Sequence, residues 1–344
     1  MKNKTQIILT ILLVFFLTHS SWAKKNKVAQ SGMTYLAISM GARETAMGDA
    51  GTAITKGIQG MWHNPAVLAD IDHMAFTFNQ VDWLVDTKLY GAAMAYSLGN
   101  WGTIGLDLTY MDFGEIIGTR RVDKSIDYRG FITTGDLGVE DYAIGLSYSR
   151  RINDKFAVGV KIKRLHENLG PARYVSNIEN EGTENEVKYY TEKNWALNDW
   201  GMDFGTIYYV GWKSLALAMT MQNFSRDMKY WYEEFQTPMV LRMGMAMDIT
   251  DLWGEGLENV DLNLAIDAQH PNDHTERIHV GSELVFMQRF ALRGGYKFNH
   301  EVESATFGLG INFEFEGVAA TLDYAYVTAA YFKDINRLSL QFTF

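Results

Sequence analysis

Residues 335–344 read INRLSLQFTF, and their alternation decides the fold. Leu338, Leu340, Phe342 and Phe344 are apolar, and Ser339, Gln341 and Thr343 between them are polar. A helix would spread these four apolar side chains around its axis, whereas a strand sets them on one face. The same period of two recurs upstream. Phe307, Leu309, Ile311, Phe313 and Phe315 alternate with Gly308, Gly310, Asn312 and Glu314. Met239, Leu241, Met243, Met245, Met247 and Ile249 alternate with Arg242, Gly244, Ala246 and Asp248. Ile104, Leu106, Leu108 and Tyr110 alternate with Gly105, Asp107 and Thr109. By this rule about fourteen strands fall at 72–80, 88–98, 101–111, 141–150, 156–165, 199–209, 214–222, 239–249, 260–269, 277–286, 290–298, 304–315, 318–327 and 335–344.

Two features choose a transmembrane antiparallel barrel over a soluble sandwich. The polar face is small or charged, carrying Asp107, Lys161, Lys163, Asp203, Arg242, Asp267, Arg293, Lys297 and Asp323 among many glycines. A membrane barrel turns its apolar face to lipid and its polar face to the lumen. The connections also alternate in length. Gly99-Asn100, 151–155, 210–213, 287–289 and Glu316-Gly317 are short, while 112–140, 166–198 and 223–238 are long. Short periplasmic turns and long external loops are the outer-membrane pattern, from which only the link at 250–260 departs. Phe344 ends the chain on the lipid face, as outer-membrane barrels commonly end. Tyr90, Tyr96, Trp101, Tyr110, Tyr142, Tyr148, Tyr324 and Tyr326 fall near strand ends, where interfacial girdles form.

The barrel accounts for 72–344. Ahead of it, Lys2 and Lys4 precede an apolar run at 7–17, and Ser21-Trp22-Ala23 offers a signal-peptidase site, so 1–23 reads as a signal peptide. The run is shorter than the roughly 20 residues of a spanning helix. Residues 24–71 do not alternate. Asn64 suits a helix N-cap with Pro65 at the first helical position. This stretch is too short for a core of its own. It reads as a hatch inside the barrel or a periplasmic cap on it, with lumen charges holding it by ion pairs.

Within that stretch, Gly41-Ala42-Arg43, Met47-Gly48, Ala50-Gly51 and Asn64-Pro65-Ala66 resemble the N-terminal signature of the PorV/PorQ family, itself similar to FadL-type long-chain fatty-acid transporters. Where that family often has Gly-Gly after the methionine, this chain has Gly48-Asp49. The resemblance implies an outer-membrane location in a diderm bacterium and a hatch whose motif residues are Gly41, Arg43, Gly48, Asn64, Pro65 and Ala66. It also implies one of two activities. PorV-like members are partner-binding subunits in type IX-like secretion or surface attachment, which makes secreted proteins or secretion-machinery subunits the partners. FadL-like members are passive channels for hydrophobic small molecules. The first is the leading expectation and the second the alternative; the second requires an apolar pocket between hatch and wall and a lateral opening, for which Gly91, Gly105, Gly145 and Gly159 could permit a kinked strand.

Catalytic and metal chemistry find little support. His270-Pro271-Asn272-Asp273-His274 has metal-like spacing, but its proline and loop setting argue against a formed cage. His166-Glu167 does not begin HExxH, since Gly170 stands at the second histidine position. Gly41, Gly48 and Gly51 follow no apolar strand and make no dinucleotide loop. The chain has no cysteine and no recognisable serine elbow, so neither enzyme nor cofactor is expected. A formal net charge of -10 argues against nucleic acid. Membrane lipid is the one partner the barrel itself requires. Asp107, Lys161, Asp203, Arg242, Arg293 and Asp323 are the expected lumen contacts. The aromatics Tyr174, Tyr189, Tyr190 and Trp195 in 166–198, and Phe224, Tyr230, Trp231, Tyr232 and Phe235 in 223–238, suggest an external contact surface or a cap on the barrel mouth.

Overall fold

A computed structural model describes residues 30–54, 57–182, 186–253 and 259–344; the expected signal peptide lies outside the described residues. The strands in chain order are β1 (Met74–Asp82), β2 (Lys88–Ser97), β3 (Thr103–Asp112), β4 (Ile117–Arg121), β5 (Phe131–Asp136), β6 (Glu140–Asn153), β7 (Phe156–Glu179), β8 (Val187–Tyr209) and β9 (Ala216–Ser225). They continue with β10 (Met228–Lys229), β11 (Glu234–Phe235), β12 (Val240–Asp248), β13 (Val260–Pro271), β14 (Arg277–Phe286), β15 (Phe290–Phe298), β16 (Glu303–Phe315), β17 (Val318–Ala329) and β18 (Ile335–Thr343). All but β4, β5, β10 and β11 close into a single antiparallel barrel of 14 strands. The seam is β1 against β18, with Ala75 opposite Thr343 and Asp82 opposite Asn336. The strand whose alternation sets the period is therefore also the one that closes the ring. Closure leaves no unpaired edge, which hydrocarbon would not tolerate.

The inside-out sense of the alternation is direct. In β3, Thr103, Gly105, Asp107 and Thr109 are buried, while Ile104, Leu106, Leu108 and Tyr110 are exposed. Phe307 is 56% exposed and Leu146 is 62% exposed. A continuous belt of such side chains is stable in a bilayer and not in water. Tyr90, Tyr110 and Tyr142 form one cross-strand row near one end of the wall, and Tyr96 and Tyr148 flank Ile104 near the other. The two ends differ. Connections 98–102, 154–155, 210–215, 287–289 and 316–317, with the 3-10 turn Ile249–Trp253, form the turn end. Connections 83–87, 113–139, 226–239, 272–276, 299–302 and 330–334, with residues 180–182 and 186 beyond β7 and β8, form the loop end.

The reading of 166–198 as a loop is corrected. β7 and β8 run on past the barrel as a ribbon. β6 stops pairing with β7 at Asn168, and β9 takes up β8 only at Gly201. Beyond those points the two strands pair only with each other, from Pro171 opposite Asn194 to Glu179 opposite Val187. Tyr174, Val175, Ile178, Tyr189 and Tyr190 favour strand. Neither face of the ribbon is buried, so no period of two marks it in the sequence. The links 112–140 and 223–238 likewise contain the small hairpins β4–β5 and β10–β11.

The described residues between 30 and 71 pack against inward-facing wall residues from one end of the barrel to the other. Ser31 forms a parallel bridge to Gln236 at the loop end. Helix α1 (Ala42–Ala46) lies mid-lumen, where Ala42 N donates 2.9 Å to Ser339 Oγ. A 3-10 turn at Pro65–Asp70 reaches the turn end, where Tyr209 Oη donates 2.8 Å to Asp70 and Arg151 pairs with it. Asn64 caps that turn, its Oδ1 accepting from Ala66 N at 3.0 Å.

The glycines on the wall mark where this inner segment presses closest. A Cβ at Gly159 would overlap the Pro65–Ala66 peptide, and one at Gly281 or Gly295 would overlap the Met47–Gly48 backbone. The strand ladders through Gly91, Gly105, Gly145 and Gly159 are unbroken. These glycines make room: Gly91 seats Met40, Gly105 seats Leu68 and Met61, and Gly145 faces Asp107. No kinked strand opens the wall at these positions. Gly295→Val should therefore push the inner segment out of register while leaving the barrel paired, and should let trypsin cut after Arg43 in the folded protein. Gly294→Val, at a position whose nearest neighbour for a Cβ is Thr306 O at 3.9 Å, should leave Arg43 protected.

Candidate functional site

The inner segment meets the wall through three kinds of surface. On the β14–β18 side the contact is ionic. Arg43 forks onto Glu283, with Nε to Oε1 at 2.9 Å and Nη2 to Oε2 at 2.7 Å. Glu283 also accepts from Arg293 Nε at 2.8 Å, and Arg293 Nη1 reaches Asp323 at 2.6 Å. A second chain runs from Asp49 to Lys297 to Glu303 to Arg337. Arg337 ends it by donating from Nε to Ser39 O at 3.1 Å. Lys297 and Arg337 are fully buried, so each charge depends on these partners.

The opposite side is held mostly by neutral hydrogen bonds. Asn64 Nδ2 donates to Thr52 O at 3.0 Å and to Thr206 O at 3.2 Å. Gln222 Nε2 donates to Trp62 O at 2.6 Å, and Ser149 Oγ donates to Ala66 O at 3.0 Å. Here the wall's charges pair with one another: Lys161 with Asp107 at 3.0 Å and Lys163 with Asp203 at 2.8 Å. Asp267 accepts from Thr52 N at 3.0 Å. Arg242 is buried nearby, with no hydrogen-bond partner for Nε or Nη1 among the described residues.

The third surface is apolar and lies toward the loop end. Met33, Tyr35 and Met40 of the inner segment pack on Val81, Leu89, Met111, Ala143 and Leu165 of the wall, with Met228 and Phe235 from the 226–239 loop. A cavity of about 50 Å³ touches this cluster at Tyr35, Leu36, Met40 and Trp62, and touches Lys161, Lys163 and Arg242 on its other side. A larger cavity of about 920 Å³ lies between Gln59 and β13–β18 near the turn end, lined by charged side chains such as Arg43, Glu283, Arg293 and Asp323 and by apolar ones such as Phe290 and Ile311.

Aromatic rings lead from the apolar cluster to solvent. Phe235 stacks on Tyr230 with centroids 5.8 Å apart. Tyr230 meets Trp195 at 6.5 Å, Trp195 meets Trp231 at 5.3 Å, and Trp231 meets Tyr232 at 5.4 Å. Tyr232 is 80% exposed. Lys193 sits 4.3 Å from the centroid of Trp195 and covers one face of the stack. Burial and the neighbouring Glu167 carboxylate hold the Tyr230 phenol above its ordinary range, so it stays a donor to Glu167 at 3.0 Å.

Of the residues expected in the lumen, Arg293–Asp323 form one pair, and Asp107 and Asp203 each face a lysine. Arg43 joins the ionic chain, Gly41 precedes α1, and Gly48 turns at φ 66 to donate from its N to Thr306 Oγ1 at 2.9 Å. Asn64, Pro65 and Ala66 form the 3-10 turn described above. Sequence reasoning missed Asp49, Glu283, Glu303 and Arg337. Glu283 and Arg337 stand beside outward-facing Leu284 and Leu338, so the alternation carried the signal for both. Among the described residues no cluster of three or more histidines and carboxylates is arranged to hold a metal ion. His274 instead lies 2.7 Å from Asp273.

The geometry defines a class: a closed barrel with a lipid-facing belt, its lumen occupied by the segment that precedes the first strand. No protein-family model and no curated protein matches the sequence. In structure the chain is similar to a Pseudomonas aeruginosa FadL homologue, at 10% identity and TM-score 0.54 over 89% of this chain and 98% of that one. It is also similar to the Pseudomonas putida toluene transporter TodX, at 12% identity and TM-score 0.53 over 87% and 96%. At such identities the likeness is one of fold.

Removing one member of a buried ion-pair chain strands the others. Lys297→Met should lower stability by about 3–5 kcal/mol, because Asp49 then keeps only the His63 ring, at 3.7 Å, and Glu303 keeps Arg337 and the His300 ring, also at 3.7 Å. Denaturant titration of the folded barrel checks this, and adding Asp49→Asn should recover part of the loss.

Proposed function

We propose that this chain is an outer-membrane protein of a diderm bacterium that takes up hydrophobic small molecules through its loop end, which faces outward. The observation that carries the reading is a continuous row of aromatic rings. It begins at exposed Tyr232 and Trp231, passes Trp195, Tyr230 and Phe235, and ends in the cluster between Met33–Met40 and the wall. A hydrophobe gains by leaving water at each step of such a path, and rings accept flat or flexible molecules alike. The fold neighbours include a toluene transporter and a FadL homologue, which is consistent with this reading. The attachment-subunit reading rests on the sequence resemblance alone, and no secretion subunit stands among the structural neighbours named above.

The inner segment fills the chamber in its present state. Entry of a ligand therefore requires Met33, Tyr35 and Met40 to give way, and the apolar contacts they release are replaced by the ligand's own. The strand ladders between β1, β2, β3 and β6 are continuous, so this part of the wall offers no gap to the bilayer.

Photolabelling tests the proposal. The protein in native membranes is irradiated with 3-trifluoromethyl-3-phenyldiazirine and the labelled peptides are mapped. Label on 33–40 and on Leu165 that falls with excess toluene or hexadecane is expected. Label confined to outward-facing residues such as Leu106 and Phe307 would contradict it. Leu165→Arg, which places a charge in the chamber, should abolish the inner label and leave the outer label unchanged.

A further inference from the structure

We infer that the loop 226–239 and the first described residues of the inner segment form a single latch, so that the aromatic mouth and the cover over the apolar chamber move together. The inference rests on reading that chamber as the hydrophobe site, but its contacts stand independently of any ligand.

The latch is a closed ring of contacts. Gly32 N donates to Gln236 O at 3.0 Å, beside the parallel bridge from Ser31 to Gln236. The Phe235 ring lies directly over Gly32, where any Cβ would overlap Cδ2 and Cε2. Only glycine allows that approach. Phe235 stacks on Tyr230 at 22° between ring planes. Tyr230 Oη donates to Glu167 Oε2 at 3.0 Å, and the other oxygen, Oε1, accepts from Met33 N at 2.9 Å. One buried carboxylate of the wall thus receives a hydrogen bond from the loop through one oxygen and from the inner segment through the other.

The arrangement makes the contacts interdependent. Withdrawing Tyr230 takes one donor from Glu167 and removes the ring that positions Phe235 on Gly32. Lifting Met33 takes the second donor from the same buried carboxylate, which is costly to leave unpaired. Met33 holds φ 53, a left-handed conformation that a side-chain-bearing residue adopts only when its surroundings impose it. Release of the latch would relieve that conformation. Immediately after Met33 come Tyr35, Leu36 and Met40, which border the cavity of about 50 Å³ beside the chamber. A molecule captured among Tyr230, Trp231 and Phe235 therefore acts on the residues that close the chamber below.

Hydrogen exchange on the full-length protein in nanodiscs tests the latch without a ligand. Gly32→Leu should displace Phe235 and raise exchange about fivefold or more in both 33–40 and 228–236, with β16–β18 unchanged. A rise in only one of the two segments, or in neither, would overturn the inference. Should Gly32→Leu fail to fold, Ser31→Cys with Gln236→Cys supplies the test, because the chain has no other cysteine. The oxidised pair should exclude diazirine label from 33–40 and readmit it on reduction. Equal labelling in the two states would overturn the latch. If the unaltered protein takes no label there, the hydrophobe reading fails, while the exchange measurement still decides the latch, using the oxidised and reduced pair if necessary.

Discussion

Hydrocarbon offers no hydrogen bonds to a peptide group, and the rest of this structure depends on that constraint. It forces the strands to close, so β18 must find β1. Closure makes the inner face a tube and the outer face a belt, which sends Leu338, Leu340 and Phe342 outward and Arg337 and Ser339 inward. The tube then carries Lys161, Lys297, Arg293, Arg337, Glu283, Glu303 and Asp323 in a space largely shut off from water. Such charges need partners. The wall supplies some of them, and the inner segment supplies Arg43 and Asp49.

This division of labour gives the lumen a fixed side and a replaceable side. Toward β14–β18 the inner segment is tied by two chains of buried ion pairs, in which loss of any member exposes the others. Toward the loop end it is held by a few hydrogen bonds, such as Met33 N to Glu167, and by methionine, tyrosine and leucine contacts, which have no strict geometry and can be exchanged for those of another apolar molecule. A barrel built to stay shut would have little use for a flexible, methionine-rich cover at one end and rigid ionic anchorage in the middle. The proposed uptake needs both: an anchor that keeps the segment in the lumen and a cover that yields.

Much of the wall was legible because its signal is geometric. A strand with lipid on one side and a polar lumen on the other must alternate, and each of the fourteen spans read from that period overlaps a barrel strand. The signal fails where its cause is absent. The β7–β8 ribbon beyond Asn168 buries neither face, so nothing imposes a period of two, and its strand-favouring aromatic and β-branched residues stand without that pattern. The lumen pairs were half legible. Alternation places Arg293 and Asp323 on the inner face, but register across several strands decides which charges meet. Glycines were the most ambiguous. Gly91 and Gly159 are compatible with a kinked strand or with a crowded lumen, and only the position of Met40 and Ala66 against them chooses the second. The Gly32–Phe235 contact joins residues two hundred positions apart in sequence, and nothing in either segment announces it.

On the proposed reading, passage occurs by local yielding of the inner segment, without a standing pore. Conductance of the purified protein in a planar bilayer tests this most directly. The account predicts no steady open-channel current in potassium chloride, because the described residues of the inner segment pack against the wall from one end to the other. A stable ohmic conductance on the scale of a general porin would contradict it.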